Sequence, residues 1–549
     1  MRASPARTAR LRWAAAVAAT ALAAVAATAA PAGAAGRAGF PKGFLWGTAN
    51  AGFQYEMGGA HPNVDRGTDW FAWTHDPATI AAKQVTADRP ERSAGHWQLY
   101  ATDIALAKGL GSNAYRLGVE WSRIFPRSTA GVHTGTAVTL AQLRALDRLA
   151  DQRAVRHYRD ELALIRAKGM TPFLTVNHFT LPSWLHDPIA VRAAFAGRGP
   201  DAPLPSGLRR SGWLDRATVA EFRKFSAYLA WKYGGLVDHW TPLNEPMVVA
   251  TNGYVNVPGA FAGYFPPGVF SYSAVIAALQ NLVLANAASY DAIKARDRSD
   301  ADGDGAAARV GLVQNLVAFT PSDPAKAADR AAAGHADYLF NRLFLDGAVK
   351  GIVDANANGV VDPGERHPAL RSKADFIGVN YYFRGRVTGL GSALSSRIPI
   401  LDFLPSTSYR WALNPSGAPC PTECSDFGSE LYPAGFLAVL KTAGSYRKPI
   451  YITENGIADA ADAKRLRFTV QHLQQARTAI RTKAADIRGY FHWSLIDNFE
   501  WSSGYEPRFG LYRFDPRTLA RTPRPSVASI RRIFTGNAIP ADLGRRFGG

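Results

Sequence analysis

The chain has 549 residues, of which 47% are hydrophobic and 19% charged, and its formal net charge at neutral pH is +19. This length and composition are typical of a large globular protein and exclude a disordered or low-complexity chain. The basic residues are scattered, without an arginine block or a nucleic-acid-binding motif, so the charge favours a basic solvated surface over nucleic-acid binding.

The first 35 residues have the pattern of a targeting segment. They open on "MRASPARTARLRW", with four arginines and no acid, continue through an apolar run from Ala14 to Ala30, and reach the small residues of "PAGAAG". This predicts a secretory signal peptide over residues 1–35 and a secreted mature chain of residues 36–549, with charge +19 − 4 = +15. A membrane anchor is the alternative, but an alanine-dominated run is only weakly apolar. No later stretch is long and apolar enough to span a bilayer.

From Phe40 onward, short apolar segments alternate with longer amphipathic ones. The short segments predict buried strands at 44–50, 113–121, 171–179, 239–246, 308–316, 374–382, 448–456 and 487–495. Apolar strands that alternate with helices predict a parallel sheet covered by helices. Eight such units fit one α/β domain over residues 36–549, a single (β/α)8 TIM barrel with long βα loops. A doubly wound sheet is the alternative, but no glycine-rich phosphate fingerprint follows the first strand.

Two glutamates end the fourth and seventh predicted strands, about 210 residues apart: Glu245 in "TPLNEP" and Glu454 in "YITENG". A single glutamate at a strand end is more typical of a residue at the barrel rim that is solvated or paired with an arginine. Active sites of TIM barrels lie at the carboxyl ends of the strands, and other polar or aromatic residues stand at those ends here: Arg116, His178, Asn244, Asn380, Tyr382, Asn455 and Trp493. Two carboxyl groups in that setting indicate glycoside hydrolysis, in which one is protonated and the other ionised.

A separate motif, "DANANGVVDPGE" over residues 354–365, fits the twelve-residue calcium loop at every specified position. Its candidate ligands are Asp354, Asn356, Asn358, the backbone of Val360, Asp362 and Glu365. An Asx-rich surface turn is the alternative, because few carboxylates supply charge and no second complete loop accompanies it. The loop "DADGDG" (300–305) begins similarly but has Gly311 at its twelfth position. Both loops precede strands, so we expect both on the barrel face opposite the active site, where a metal would be structural.

The two cysteines, Cys420 and Cys424, lie four positions apart in "CPTEC". A metal site would need two more soft ligands, and none lies nearby in the sequence. Export permits disulfide formation, so we expect a disulfide that closes a short loop and contributes little global stability.

The quoted strands and their neighbours also carry a family resemblance. "FPKGFLWGTANAGFQYE", "YRLGVEWSRIFP", "LTVNHFTLPSWLHDP", "TPLNEP", "DFIGVNYY", "YITENG" and "GYFHWSLIDNFEWSSGYEPRFGLYRFD" follow one another in the order of the family 1 glycoside hydrolases. The chain therefore resembles that β-glucosidase and β-galactosidase family over residues 40–535. Its sequence motifs are similar to those of the archaeal-type branch. Departures at Asn50, Met57 and Phe179 bear on substrate preference more than on catalysis.

The resemblance implies a role for each matching residue. Glu454 matches the nucleophile and Glu245 the general acid/base, while Asn244 matches the ligand of the sugar 2-hydroxyl. On physical grounds Arg116 favours the ionised form of Glu454, and Tyr382 can donate to it. The resemblance implies that the pocket for the glycone, the sugar that is transferred, is lined by Gln54, His178, Trp493, Glu500, Trp501 and Phe509. Asn380 is added as a substrate-binding candidate because it stands at the end of a predicted strand.

The resulting expectation is a retaining β-glycosidase that acts on β-linked oligosaccharides or on aryl and alkyl β-glycosides. β-Glucosidase activity is favoured, with β-galactosidase and β-fucosidase activity as further expectations. Retention requires carboxyl groups about 5–5.5 Å apart. The chemistry needs no organic cofactor, and any Ca²⁺ would be structural. A transglycosylase, a non-catalytic carbohydrate-binding barrel and a binder of anionic polymers are the alternatives, and the sequence leaves oligomeric state open.

Overall fold

The computed structural model describes residues 39–256, 264–389, 420 and 422–548, together with the backbone of residues 404–405. The predicted signal peptide, residues 1–35, lies outside the described residues. Everything that follows concerns the unit Gly39–Gly549.

Eight parallel strands close into a barrel. Each strand pairs with its neighbours in chain order, and β8 pairs with β1 to complete the ring. This confirms the predicted (β/α)8 fold, and each strand lies inside its predicted range. The strands are β1 (Leu45–Ala49), β2 (Ala114–Gly118), β3 (Thr171–Asn177), β4 (His239–Leu243), β5 (Arg309–Asn315), β6 (Phe376–Tyr381), β7 (Ile450–Asn455) and β8 (Ile487–Trp493).

Longer helices cover the outside of the barrel. In the second of them the Asp151 side chain caps the start by accepting from the backbone of Arg153 and Ala154, and its buried positions recur every three or four residues, which turns one face to the core. The longer helices are α1 (His96–Gly109), α2 (Gln152–Ala167), α3 (Ala217–Tyr233), α4 (Tyr272–Arg296), α5 (Ala327–Ala336), α6 (Pro433–Gly444), α7 (Arg465–Arg481) and α8 (Ser526–Gly536).

Shorter elements decorate the connections, most of them in the long loops that follow the strands. Helical turns also extend α5 through residues 337–350. The short helices are Gly52–Tyr55, Asp69–His75, Pro77–Ala81, Pro90–Arg92, Trp121–Ile124, Leu140–Asp147, Pro188–Phe195, Gly212–Leu214, Pro246–Tyr254, Pro368–Leu370, Trp501–Ser503 and Ala541–Phe547. The short strands are Ala318–Pro321, Arg384–Thr388, Leu404–Pro405, Tyr512–Phe514 and Arg521–Pro523.

Aromatic side chains fill the lower part of the barrel interior. The Phe173 ring centroid lies 4.3 Å from that of His239, 5.1 Å from that of Tyr451 and 4.7 Å from that of Phe491. All four residues are buried. This layer closes the barrel floor, so polar side chains nearer the carboxyl ends of the strands face a pocket that opens in one direction.

The predicted calcium loop does not lie on the barrel face opposite the active site, which its position before β6 predicts. An antiparallel bridge between Ile352 and Arg366 folds this connection back as a hairpin. Its tip then reaches the start of α4, where the Tyr272 hydroxyl donates to the Asn356 carbonyl at 2.8 Å. Because α4 follows β4, that helix begins at the active-site end of the barrel. The predicted placement on the opposite face is therefore wrong for residues 354–365.

The second acidic loop, residues 300–305, does lie at the opposite face. The backbone N–H groups of Ala301 and Asp302 donate to the carboxylate of Asp238, which immediately precedes β4. Residues at the amino ends of barrel strands lie away from the active site.

Cys420 and Cys424 form a disulfide. Lys464, just before α7, holds this loop by donating to the Cys424 carbonyl at 2.7 Å. Three residues beyond the second cysteine, Phe427 lines the pocket at the barrel mouth. The disulfide thus fixes a loop that contributes to the pocket wall.

One helix in the described part of the chain, α4, is long and apolar enough to cross a membrane. It packs against α3 on the barrel exterior, and 61% of its most apolar window is buried inside the protein. This degree of burial is typical of a core helix, and core helices also pass the test of length and composition.

Candidate active site

A pocket at the carboxyl ends of the strands holds both predicted glutamates. Glu245 follows β4 and Glu454 lies in β7, and both side chains line the pocket while remaining buried. The pairing of β7 with β6 shifts register between Ile452 and Glu454. Such an irregularity re-aims the side chains beside it. As a result, Thr453 reaches the Asn380 side chain at 2.7 Å, while Glu454 reaches partners on two other segments.

Glu454 is fixed by one donor on each carboxylate oxygen. Arg116 Nη1 donates to Oε1 at 2.5 Å, and the Tyr382 hydroxyl donates to Oε2 at 2.6 Å. Arg116 is fully buried, so this ion pair is shielded from water and salt. Burial and the Glu454 charge raise the pKa of Tyr382 well above its usual range, which keeps its hydroxyl proton available. The two hydrogen bonds hold the Glu454 carboxyl group in one orientation toward the pocket.

Glu245 has a contrasting environment. The side-chain amides of Asn380 and Asn315 both donate to its Oε1, at 2.6 and 3.2 Å. Burial, followed by the charge of Glu454, raises the pKa of Glu245 from 4.5 to about 8. This shift favours the protonated form of Glu245 at neutral pH. Because both amides bind Oε1, the proton belongs on Oε2, where it is free for a bound molecule.

Asn244 connects Arg116 to His178 in the pocket wall. Its Oδ1 accepts from Arg116 Nη2 at 2.6 Å, which leaves its amide hydrogens to face His178 Nε2 at 3.1 Å and the open pocket. Burial and then the Arg116 charge lower the pKa of His178 well below its usual value, so the ring is neutral. Its buried Nδ1 has no hydrogen-bond partner among the described residues. Both side chains can therefore contact a ligand.

Gln54 and Glu500 form a second polar pair at the pocket, where Glu500 lines the wall and Gln54 lies buried behind it. Gln54 Nε2 donates to Glu500 Oε2 at 3.3 Å and to the Phe499 carbonyl at 2.9 Å. Gln54 Oε1 is buried and has no partner within the described chain. An unpaired buried oxygen is unfavourable, so this geometry suits a ligand with adjacent hydroxyl groups. Burial and then the Glu454 charge raise the pKa of Glu500 to about 8.

Aromatic side chains form the apolar walls of the pocket. Trp493 and Trp501 both lie near His178, each with its ring centroid 6.0 Å from that of the imidazole. Phe509 packs edge-on against Tyr382 at 5.9 Å between centroids. Flat apolar faces beside convergent hydrogen-bonding groups are the features that bind a sugar ring.

Three pocket residues adopt a left-handed backbone conformation that side chains rarely take. Their φ angles are +48° for Glu245, +73° for Phe179 and +48° for Trp501. Such strain concentrates at functional sites, where the surrounding structure enforces it. All three also line the pocket.

The structure adds three polar residues that sequence reasoning missed. Asn315 donates to Glu245, and Asn498 accepts from Gln54 at 3.2 Å. Glu120 accepts from the Phe53 backbone at 2.8 Å and from the Thr180 hydroxyl at 2.6 Å, which ties together the segments that carry Gln54 and His178. Asn315 ends β5 and Glu120 follows β2, so the rule used for the other strand ends would have found both.

The candidate calcium loop directs its two buried carboxylates inward. Asp354 Oδ2 accepts from the Gly359 backbone at 2.8 Å, and Glu365 accepts from the backbone of Ala355 at 2.7 Å and of Asp362 at 2.8 Å. Within the described ranges, the group of three carboxylates with oxygens within 4.8 Å of one another is a different one, Asp238, Asp300 and Asp302.

Comparison with known proteins identifies what this arrangement is similar to. The model of the family described as "Glycosyl hydrolase family 1" matches residues 37–190 and 203–538. A β-galactosidase of Pyrococcus woesei is 38% identical, with 91% of this chain and 98% of the relative covered. A β-galactosidase of Sulfolobus acidocaldarius is 39% identical, with 92% and 96% covered.

Solved structures show the same likeness. The β-glycosidase of Thermosphaera aggregans superposes with a TM-score of 0.79 at 34% identity, covering 93% of this chain and 99% of the other. A β-glucosidase of Pyrococcus furiosus gives 0.76 at 35% identity, covering 93% and 98%.

The Tyr382 hydroxyl should be needed for turnover. In Tyr382→Phe, Glu454 loses one charge-assisted hydrogen bond, so kcat on nitrophenyl β-glucoside should fall about 10- to 100-fold. The matched control is Tyr446→Phe, which removes a tyrosine hydroxyl that binds Asp346 away from the pocket. Equal kcat in both variants and in the wild type would rule out the role of Tyr382.

The pKa of Glu245 should set the alkaline side of the pH profile. Because Glu245 must be protonated to act as an acid, kcat/KM on nitrophenyl β-glucoside should fall as pH rises through about 8. Dinitrophenyl β-glucoside has a leaving group that needs no proton, and with it Glu245→Gln should lack this decline. A decline that persists unchanged in Glu245→Gln would assign it to another group, such as Glu500.

Proposed function

The chain belongs to glycosyl hydrolase family 1, and we propose that its site hydrolyses β-D-glucosides with retention, with β-galactosides and β-fucosides as further substrates. The protein is an O-glycosyl hydrolase, and the chemistry of its family needs no catalytic cofactor. One observation carries the assignment of roles: Glu454 accepts from Arg116 and Tyr382, whereas Glu245 accepts only from neutral amides within the described residues.

The reaction proceeds in two displacements. The ionised Glu454 attacks the anomeric carbon while Glu245 Oε2 gives its proton to the departing glycosidic oxygen. The ionised Glu245 then takes a proton from water, and that water displaces Glu454 and restores the original configuration. During both steps Asn244 is placed to bind the 2-hydroxyl, and Gln54 and Glu500 to bind hydroxyls at the far edge of the ring. The presence of both glutamates argues against a non-catalytic barrel.

The assignment of Glu454 is tested with a panel of nitrophenyl β-glucoside, β-galactoside and β-fucoside. Glu454→Gln removes the charge that attacks the sugar while keeping the size and the hydrogen-bond acceptor. We expect its kcat to fall at least about 10⁴-fold on every substrate, as for the loss of a nucleophile, while its circular dichroism matches the wild type. Wild-type turnover by the mutant would overturn the nucleophile assignment, and the wild-type ranking of the panel gives the glycone preference.

We also propose that the protein is exported and that its leader is cleaved near residue 35. Support comes from the arginine-rich start, the alanine-rich run and the small residues that follow them. Mass spectrometry of the protein from culture medium should find an N-terminus in the small-residue stretch after Pro31. An intact Met1 on protein confined to the cells would contradict export.

A further proposal is that residues 354–365 bind a structural Ca²⁺. Support comes from the match at every ligand position, from the buried carboxylates of Asp354 and Glu365, and from Gly359, whose φ of +78° permits the turn. Removing Ca²⁺ with EDTA should lower the Tm of the wild type and leave that of Glu365→Gln unchanged. An unchanged wild-type Tm, with no calcium in the purified protein, would contradict the proposal.

A further inference from the structure

A second cavity lies beside the turn that carries Glu500 and Trp501. Its volume is about 440 Å³, and it shares no lining residue with the glycoside pocket. The turn forms part of its wall, because the Thr86 backbone donates to the Ser502 carbonyl at 3.0 Å and the Tyr505 backbone donates to Asp88 Oδ2 at 3.1 Å. The cavity is therefore next to the sugar-binding residues and separate from them.

Three arginines line this cavity: Arg89, Arg92 and Arg508. Many arginines of this protein bind a carboxylate, yet these three guanidinium groups have no hydrogen bond or ion pair with any described residue. Nη1 of Arg89 is also fully buried. Like charges that line one cavity without an ion-pair partner are unfavourable, and a buried unpaired donor adds to that cost. An anion in the cavity would relieve both.

Among the described residues, neither nearby acidic group forms an ion pair with these arginines. Asp88 also lines the cavity, but its Oδ2 already accepts from the Tyr505 backbone and from the Thr86 hydroxyl. Glu91 directs its Oε1 to His75 Nε2 at 3.2 Å. Three positive charges and one carboxylate leave the lining with a net charge of +2.

We propose that this cavity is a binding site for an oxyanion, a phosphate, sulfate or carboxylate group. Guanidinium groups bind these anions through paired hydrogen bonds. The side chains of Tyr505 and Phe514 also line the cavity, and aromatic faces suit a sugar that carries the anionic group. The shared chemistry is the oxyanion, supplied either free or as a substituent of a sugar.

Calorimetric titration of the full-length protein with sodium sulfate tests the proposal, with sodium chloride of equal ionic strength as the blank. Arg92 lines the cavity and is exposed, so Arg92→Gln should fold normally, and Arg89→Gln removes the half-buried guanidinium whose Nη1 is buried. Each substitution should weaken sulfate binding about tenfold or more, the effect of losing one charge-assisted hydrogen bond. Arg127→Gln, at an exposed arginine outside the cavity, is the matched control and should bind like the wild type.

A second titration, with glucose 6-sulfate, separates the two sources. Tighter binding than sulfate, weakened by Arg92→Gln, would identify an anionic sugar, whereas equal binding would identify the free anion. Absence of sulfate binding by the wild type, or equal affinity of Arg92→Gln and Arg127→Gln, would overturn the proposal. Turnover of nitrophenyl β-glucoside by Arg92→Gln confirms separately that the glycoside pocket is intact.

Discussion

One buried guanidinium group orders the catalytic site. Arg116, in β2, has no exposed surface, and it donates to Glu454 in β7 and to Asn244 after β4. A buried charge without such partners would be strongly destabilising. The barrel therefore has to close in the register that brings these three strand ends together. Folding stability and catalytic geometry thus depend on the same set of hydrogen bonds.

Three carboxyl groups share this pocket, and their surroundings divide the charge among them. Glu454 accepts hydrogen bonds from the arginine and the tyrosine hydroxyl. Glu245 and Glu500 accept from neutral amides, and burial together with the charge of Glu454 raises the pKa of each. The raised pKa values of Glu245 and Glu500 favour their protonated forms at neutral pH, which reduces the repulsion among carboxyl groups in a site of low dielectric. The proposed chemical roles use this difference: a carboxylate held by an arginine and a tyrosine attacks, and a protonated neighbour donates.

The sequence predicts the barrel well because its strands are encoded locally. Each strand is a short apolar run, and parallel packing puts polar residues such as Asn244 and Glu454 at one rim without any knowledge of the loops. Elements that depend on distant contacts are harder to predict from the sequence. The predicted position of the calcium loop is wrong because the bridge between Ile352 and Arg366 folds that connection back on itself.

The second cavity shows the same limit. Arg89 and Arg508 are more than 400 positions apart in the chain, and neither belongs to a motif. They meet because the loop after β1 packs against the turn after β8, the two strands that close the barrel. That the three arginines lack partners there is a property of the folded surface, which periodicity and spacing do not encode.

The closure of β8 on β1 also bears on how the enzyme is made. Arg116 and Glu245 lie in the first half of the chain, whereas Glu454, Tyr382 and Glu500 lie in the second. A ribosome must finish nearly the whole polypeptide before these side chains can meet, so a nascent or truncated chain is inert.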